Sequence, residues 1–262
     1  MNPIKAVFFD IDGTLVSFNT HCVSPALRQA LAALRNRGIK LFVATGRMLP
    51  MIGVLDGIPF DGYITYNGAY CVDAGRRNVI YACPVPQEDL DALVRYLEKD
   101  PFPVAFMPKD AITVNYVDGT VEAIARQIDV PLPRVEDPHV TIRGDVFQFC
   151  PYVEDDEKIR YLEQHVFTHC AATRWTPLFA DVNVRGVSKQ TGIDRILDCY
   201  GLDLGETMAF GDGGNDIPML RHVALGVAMG NASDEVKAIA DHTTAPVDDE
   251  GIIQAFRHFG LL

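Results

Sequence analysis

Ile4-Lys5-Ala6-Val7-Phe8-Phe9-Asp10-Ile11-Asp12-Gly13-Thr14 is a mostly apolar run that breaks abruptly into a polar turn. A short run of this kind suits a parallel strand covered on both faces. The segments that follow keep the pattern. Ser24-Pro25 has the form of a helix N-cap and first position, Leu27, Leu31 and Leu34 recur at helical spacing, and Gly38 stands where a helix would stop. Ile39 to Ala44 then reads as a second strand and Gly62 to Thr65 as a third. Further along, a helix is expected from Ser188 to Gly201, followed by buried-type strands at Thr207 to Phe210 and Ala224 to Ala228. Alternation of this kind predicts a doubly wound, Rossmann-like parallel sheet of the α/β class.

Between these halves the pattern changes. Amphipathic helices are expected at Gln87 to Lys99 and Asp155 to Val166, and more alternating strands at Val140 to Arg143 and Val146 to Phe149. The sequence thus predicts a core from residues 1–82 and 186–262 with an inserted α+β domain over 83–185. Cys83-Pro84-Val85-Pro86 and Arg185-Gly186 would be the hinges.

A chain of 262 residues, 48% hydrophobic and 22% charged, is large enough for one big core or two modest ones. Its net charge of −12 disfavours nucleic-acid or anionic-membrane partners. No stretch approaches the roughly 18 consecutive apolar residues of a membrane helix. The six cysteines contain no Cys-x-x-Cys pair and read as small hydrophobes in a reducing cytoplasm. A soluble, cytoplasmic protein is expected.

Three polar clusters each follow a strand-like run: Asp10 to Thr14, Thr45-Gly46-Arg47, and Gly211-Asp212-Gly213-Gly214-Asn215-Asp216. Ligands of open parallel sheets bind beyond the carboxyl ends of the strands, so the clusters are expected to converge. Their residue types suit phosphoryl transfer. Asp10 can attack phosphorus and form an aspartyl phosphate, and Asp12, two residues on, can serve as general acid and base. Asp10, Asp12, Asp212 and Asp216 are hard oxygen ligands whose mutual repulsion a magnesium ion would relieve. Thr45, Asn215 and the amides around Gly13 and Gly46 can grip phosphoryl oxygens, and Lys189 can add positive charge. Taken singly, each feature also reads as a turn or a solvated charge; it is their order, each behind a strand, that carries weight.

These four stretches, with Lys189 as the third, resemble the ordered motifs of the haloacid dehalogenase superfamily of phosphatases. Asn67-Gly68-Ala69 and the long insert between the second and third motifs are similar to its Cof-type sugar-phosphate phosphatases. The resemblance implies Asp10 as nucleophile and metal ligand, and Asp12 as acid and base whose backbone carbonyl also meets a Mg2+ ion. It further implies Thr45 and Lys189 on the phosphoryl group, Asp212 as a metal ligand, and Asn215 and Asp216 orienting the ligands. Arg47 and Asn67 either touch substrate or brace the strand-end loops. The insert would be a cap that selects the leaving group of a small phosphorylated metabolite such as a hexose phosphate. Its stretch Thr173-Arg174-Trp175-Thr176, with Asp181 and Asn183 nearby, can offer a sugar hydrogen bonds and a stacking surface, while the other reading of Trp175 is that it packs inside the cap. A sugar phosphomutase and a phospho-acceptor signalling module are the alternatives; the second Asp and the insert weigh against the latter.

Overall fold

The computed structural model describes residues 3–174 and 176–262; Trp175, singled out above, lies outside the described residues. In chain order the first elements are β1 (Ala6–Phe9), α1 (Pro25–Asn36), β2 (Lys40–Ala44), β3 (Gly62–Thr65), β4 (Tyr70–Asp73) and β5 (Val79–Ala82). There follow α2 (Gln87–Leu97), β6 (Val104–Pro108), β7 (Thr113–Val114), α3 (Gly119–Gln127), β8 (Arg134–Val135) and α4 (Pro138–Thr141). Next come β9 (Val146–Pro151), α5 (Asp156–His165), β10 (Cys170–Thr173) and β11 (Asp181–Val184). The last stretch holds α6 (Lys189–Tyr200), β12 (Thr207–Gly211), α7 (Ile217–His222), β13 (Leu225–Ala228), α8 (Asp234–Ile239), β14 (His242–Thr243) and α9 (Gly251–His258).

The chain divides into two compact units. One comprises the described residues through Arg47, with Met51–Ala82 and Ser188–Leu262; the other comprises Met48–Pro50 and Cys83–Val187. The first carries an eight-stranded sheet in the order β14-β13-β12-β1-β2-β3-β4-β5. The pairings from β14 to β3 are all parallel; β4 and β5 extend the sheet beyond β3 through two antiparallel pairings, so that only β4 runs against the others. Every residue of β1 is buried, because the sheet is covered on both faces. On one face Phe8 packs with Phe42, Ile193, Ile196 and Met219; on the other, Phe9 stacks on Phe210 and meets Phe256 of α9 edge-on. The Ser24 side chain accepts the Leu27 amide to start α1, with Pro25 at its first position.

The second unit carries a six-stranded sheet in the order β10-β11-β9-β6-β7-β8. Leu90, Leu93, Phe106, Phe149, Leu162 and Phe167 form its apolar core with α2 and α5. On β9 and β11, Gln148 Nε2 and Cys150 Sγ donate to Asp181 Oδ1 (3.0 and 3.3 Å), and Asn183 donates to the Phe147 carbonyl. Arg174 is tied to Asp156 and to the Val153 and Pro177 carbonyls. One expectation is corrected here: Val140 to Arg143 is not a strand. Asp137 accepts the His139 amide and Pro138 takes the first helical position, so a short helix, α4, wins over the alternating pattern. Among the described residues no helix is long and apolar enough to cross a membrane.

Candidate active site

The parallel register of β1 with β2 and β12 brings their carboxyl ends level, with Phe9 opposite both Val43 and Phe210. Asp10 therefore sits just past β1, its amide bonded to the Phe210 carbonyl at 3.0 Å. The chain then turns at Gly13, whose φ of +79° suits a residue without a Cβ. A Cβ there would also lie 2.3 Å from Asp212 Oδ2, so the turn packs its backbone directly on that carboxylate. Thr14 Oγ1 completes the contact by donating to Asp212 Oδ1 at 2.9 Å.

Lys189, the first residue of α6, is fully buried and donates to Asp10 Oδ1 at 2.5 Å and Asp216 Oδ1 at 2.6 Å. The preceding Ser188 fixes this start through a capping box with Thr191. The other Asp216 oxygen accepts the amides of Asp212 and Gly213, both at 2.9 Å, and so closes the loop after β12. Thr45 is buried past β2, and its hydroxyl accepts the Arg47 amide; Gly46 lies between them.

Arg47 meets Asp12 in a two-pronged ion pair, Nε to Oδ2 at 2.8 Å and Nη2 to Oδ1 at 2.6 Å, while Nη1 donates to the Met51 carbonyl. Asn215 Nδ2 donates to Asn67 Oδ1 at 2.9 Å. Asn67 belongs to a turn in which Tyr66, Asn67 and Gly68 all have positive φ (51°, 52° and 107°). Such conformations are costly for a tyrosine and persist only where the surroundings impose them.

Oxygens of Asp10, Asp212 and Asp216 lie within 4.8 Å of one another. The Asp12 carboxylate stands with Arg47 instead. Burial raises the Asp10 carboxyl well above the ordinary carboxylate range; Lys189 opposes the rise, and Asp216, Asp212 and Asp12 add to it. Burial, followed by Asp216, pushes Asp212 up to about 7 against the Thr14 hydrogen bond. For Lys189, burial works against the charge, but Asp10 and Asp216 overcome it and hold the ammonium above its usual value. Arg47 likewise keeps its charge despite burial because Asp12 bonds and attracts it. Three crowded carboxylates thus share one ammonium, a deficit of positive charge that a divalent cation, matched to these hard oxygen donors, would balance.

Sequence reasoning brought together Asp10, Asp212, Asp216 and Lys189, and the structure places them in contact or near contact. It passed over Asn231. That residue follows β13, the next strand end along the sheet, and reaches both Gly13 and Asp212. Its position behind an apolar strand, like the three clusters quoted above, was the available signal.

A parallel sheet with paired aspartates past its central strand, a buried lysine and an acidic loop past the neighbouring strand defines a hydrolase of the phosphoryl-transfer type. The model of the haloacid dehalogenase-like hydrolases matches residues 7–256, and the chain belongs to that family. It is similar to the haloacid dehalogenase subclass IIB sugar phosphatase BT4131, at 42% identity and a TM-score of 0.90 over 98% of this chain and 100% of that one. It is also similar to the phosphatase BT1666 of Bacteroides thetaiotaomicron, at 41% identity and a TM-score of 0.91 over 99% and 96%. YkrA of Bacillus subtilis (strain 168) is 34% identical over 261 residues, 98% of each chain. The chain is a phosphatase of this family.

Proposed function

We propose that this phosphatase hydrolyses small sugar phosphates, hexose phosphates foremost, through an aspartyl phosphate on Asp10. The observation that carries the reading is the setting of Asp10: a buried carboxylate past the central strand, paired with Lys189, with Asp12 two residues on. The similarity to a sugar phosphatase at 42% identity favours a sugar as the leaving group.

In the first step an Asp10 oxygen bonds to phosphorus as the bond to the sugar oxygen breaks, and Asp12 gives that oxygen its proton. In the second, Asp12 takes a proton from the water that attacks phosphorus, the aspartyl bond breaks, and Asp10 is restored as inorganic phosphate leaves. Thr45, Gly46 and Lys189 hold the phosphoryl oxygens. Asp10, Asp212 and the Asp12 carbonyl, with Asp216 beside them, would hold Mg2+, which would supply the positive charge needed for an anionic nucleophile to approach an anionic substrate. Arg47 and the tie between Asn67 and Asn215 brace these loops. The inserted unit acts as the cap that selects the leaving group. All six cysteines are free, which suits a reducing cytoplasm.

A panel of phosphorylated metabolites, assayed with Mg2+ for released phosphate and for isomerised sugar phosphate, tests the reading. Hexose phosphates are expected to lead, with free phosphate as product. Asp10→Asn should reduce turnover to background and leave no acid-stable, borohydride-trappable enzyme intermediate. Turnover of Asp10→Asn within a few-fold of wild type would exclude Asp10 as nucleophile, and isomerised sugar as the main product would make the enzyme a mutase.

A further inference from the structure

Four strand ends, not three, feed the site. After β13 the chain runs Met229-Gly230-Asn231, and this loop is pinned from its own backbone: Met229 donates to the Gly211 carbonyl at 3.0 Å and Gly230 to the Ala245 carbonyl at 3.1 Å. The pinning places the Asn231 side chain against two of the segments discussed above. Its Nδ2 donates to the Gly13 carbonyl at 2.9 Å and to Asp212 Oδ2 at 3.3 Å, and its Oδ1 accepts the Val247 amide at 2.9 Å. Only one orientation of the amide satisfies all three, since a backbone N–H needs the oxygen and a carbonyl and a carboxylate need the NH2.

The consequence falls on Asp212. Thr14 donates to one of its oxygens and Asn231 to the other, while Gly13 packs against the same carboxylate. A carboxylate gripped at both oxygens cannot rotate about its last bond, and each oxygen keeps a lone pair for a cation. We infer that Asn231 is a positioning residue for cation binding: it holds the Asp212 carboxylate and the Asp12-Gly13 turn in one fixed arrangement. This rests on the reading of Asp212 as a metal ligand. Partners that orient a ligand in this way are commonly worth about 10- to 100-fold in metal affinity.

The alternative is that Asn231 merely staples the loops together, and the two differ in what its removal changes. The test is Mn2+ binding without substrate, followed by electron paramagnetic resonance on the full chain, for wild type and Asn231→Ala, with a thermal melt of each. Asn231→Ala is expected to raise the Mn2+ dissociation constant about tenfold or more. Should that variant not fold, Asn231→Ser reads the same quantity, because its shorter side chain with one hydroxyl cannot serve all three contacts. Wild-type affinity in the variant, with or without a lower melting temperature, would overturn the inference and leave a loop staple. If wild-type enzyme itself bound no Mn2+, it is the metal-site reading that would fall.

Discussion

Gly68→Ala tests how far the site depends on backbone contact. A Cβ on Gly68 would lie 2.1 Å from the Ser188 carbonyl oxygen and 2.6 Å from its carbon, where real contacts stay beyond 3.0 Å. Both atoms are backbone, so the turn and the start of α6 must separate by about 0.9 Å. Lys189 is the next residue, and its ammonium has no slack between Asp10 and Asp216. The variant incurs a strained positive φ, about 1–3 kcal/mol, and overpacking, about 1–3 kcal/mol. For a chain of this size the sum corresponds to a melting temperature lower by roughly 5–15 °C. If Lys189 holds the phosphoryl group as proposed, its misplacement by close to an ångström should lower kcat/KM on the order of 100-fold. Gly38→Ala is the control: its φ of +83° carries the conformational cost, but a Cβ there meets nothing within 4 Å. It should melt slightly lower with full activity. The reasoning fails if Gly68→Ala keeps both melting temperature and kcat/KM near wild type, or if Gly38→Ala loses as much activity.

If Asp12 is the general acid proposed above, Asp12→Asn keeps its shape but cannot pass a proton, so the loss should be smaller for nitrophenyl phosphate than for a hexose phosphate; equal losses on both would count against that role. The metal-free protein should show a pH-dependent stability traceable to Asp212, whose folded value of about 7 stands above the 3.8 of an unperturbed group. The folded state then binds the extra proton, so this contribution is complete below pH 3.8 and is lost as pH rises through about 7. It amounts to at most about 4 kcal/mol. Thermal melts between pH 4.5 and pH 7.5, both roughly chosen to span that window, should show a steeper fall for wild type than for Asp212→Asn, with Mg2+ restoring wild type at the upper end. Parallel curves would show that Asp212 does not titrate in this way.

Much of the sheet was legible because parallel central strands are apolar on both faces: Ala6–Phe9, Lys40–Ala44 and Thr207–Gly211 each read as runs that end in a polar cluster. The β4 and β5 strands were not anticipated: Val79–Ala82 is a four-residue apolar run, but it lies at the sheet edge with mixed exposure, outside the central pattern of buried strand and polar cluster. The Val140 segment misled because alternation says nothing of a cap three residues earlier; Asp137 decided it. Within the site, the clustering of Asp10, Asp212, Asp216 and Lys189 was legible in the order of the motifs. The ties that orient them did not. Arg47 to Asp12, Asn67 to Asn215 and Asn231 to Gly13 are side-chain ties between segments remote in the chain, and no local periodicity encodes them.

The pairing of β1 with β12 has a consequence for the order in which this protein is made. Ala6 emerges early, but its partner Thr207 comes some two hundred positions later, a delay of roughly 10–40 s at ordinary rates of synthesis. Throughout that interval Ala6–Phe9 can complete only the edge that faces β2, and its other edge stays open, four apolar residues whose outer amides and carbonyls have no partner strand. Cys83–Val187 has its own apolar core and is finished first. The nascent chain thus carries a closed module after an unfinished one, and the Asp10 loop takes its final form only once Thr207–Gly211 has been made.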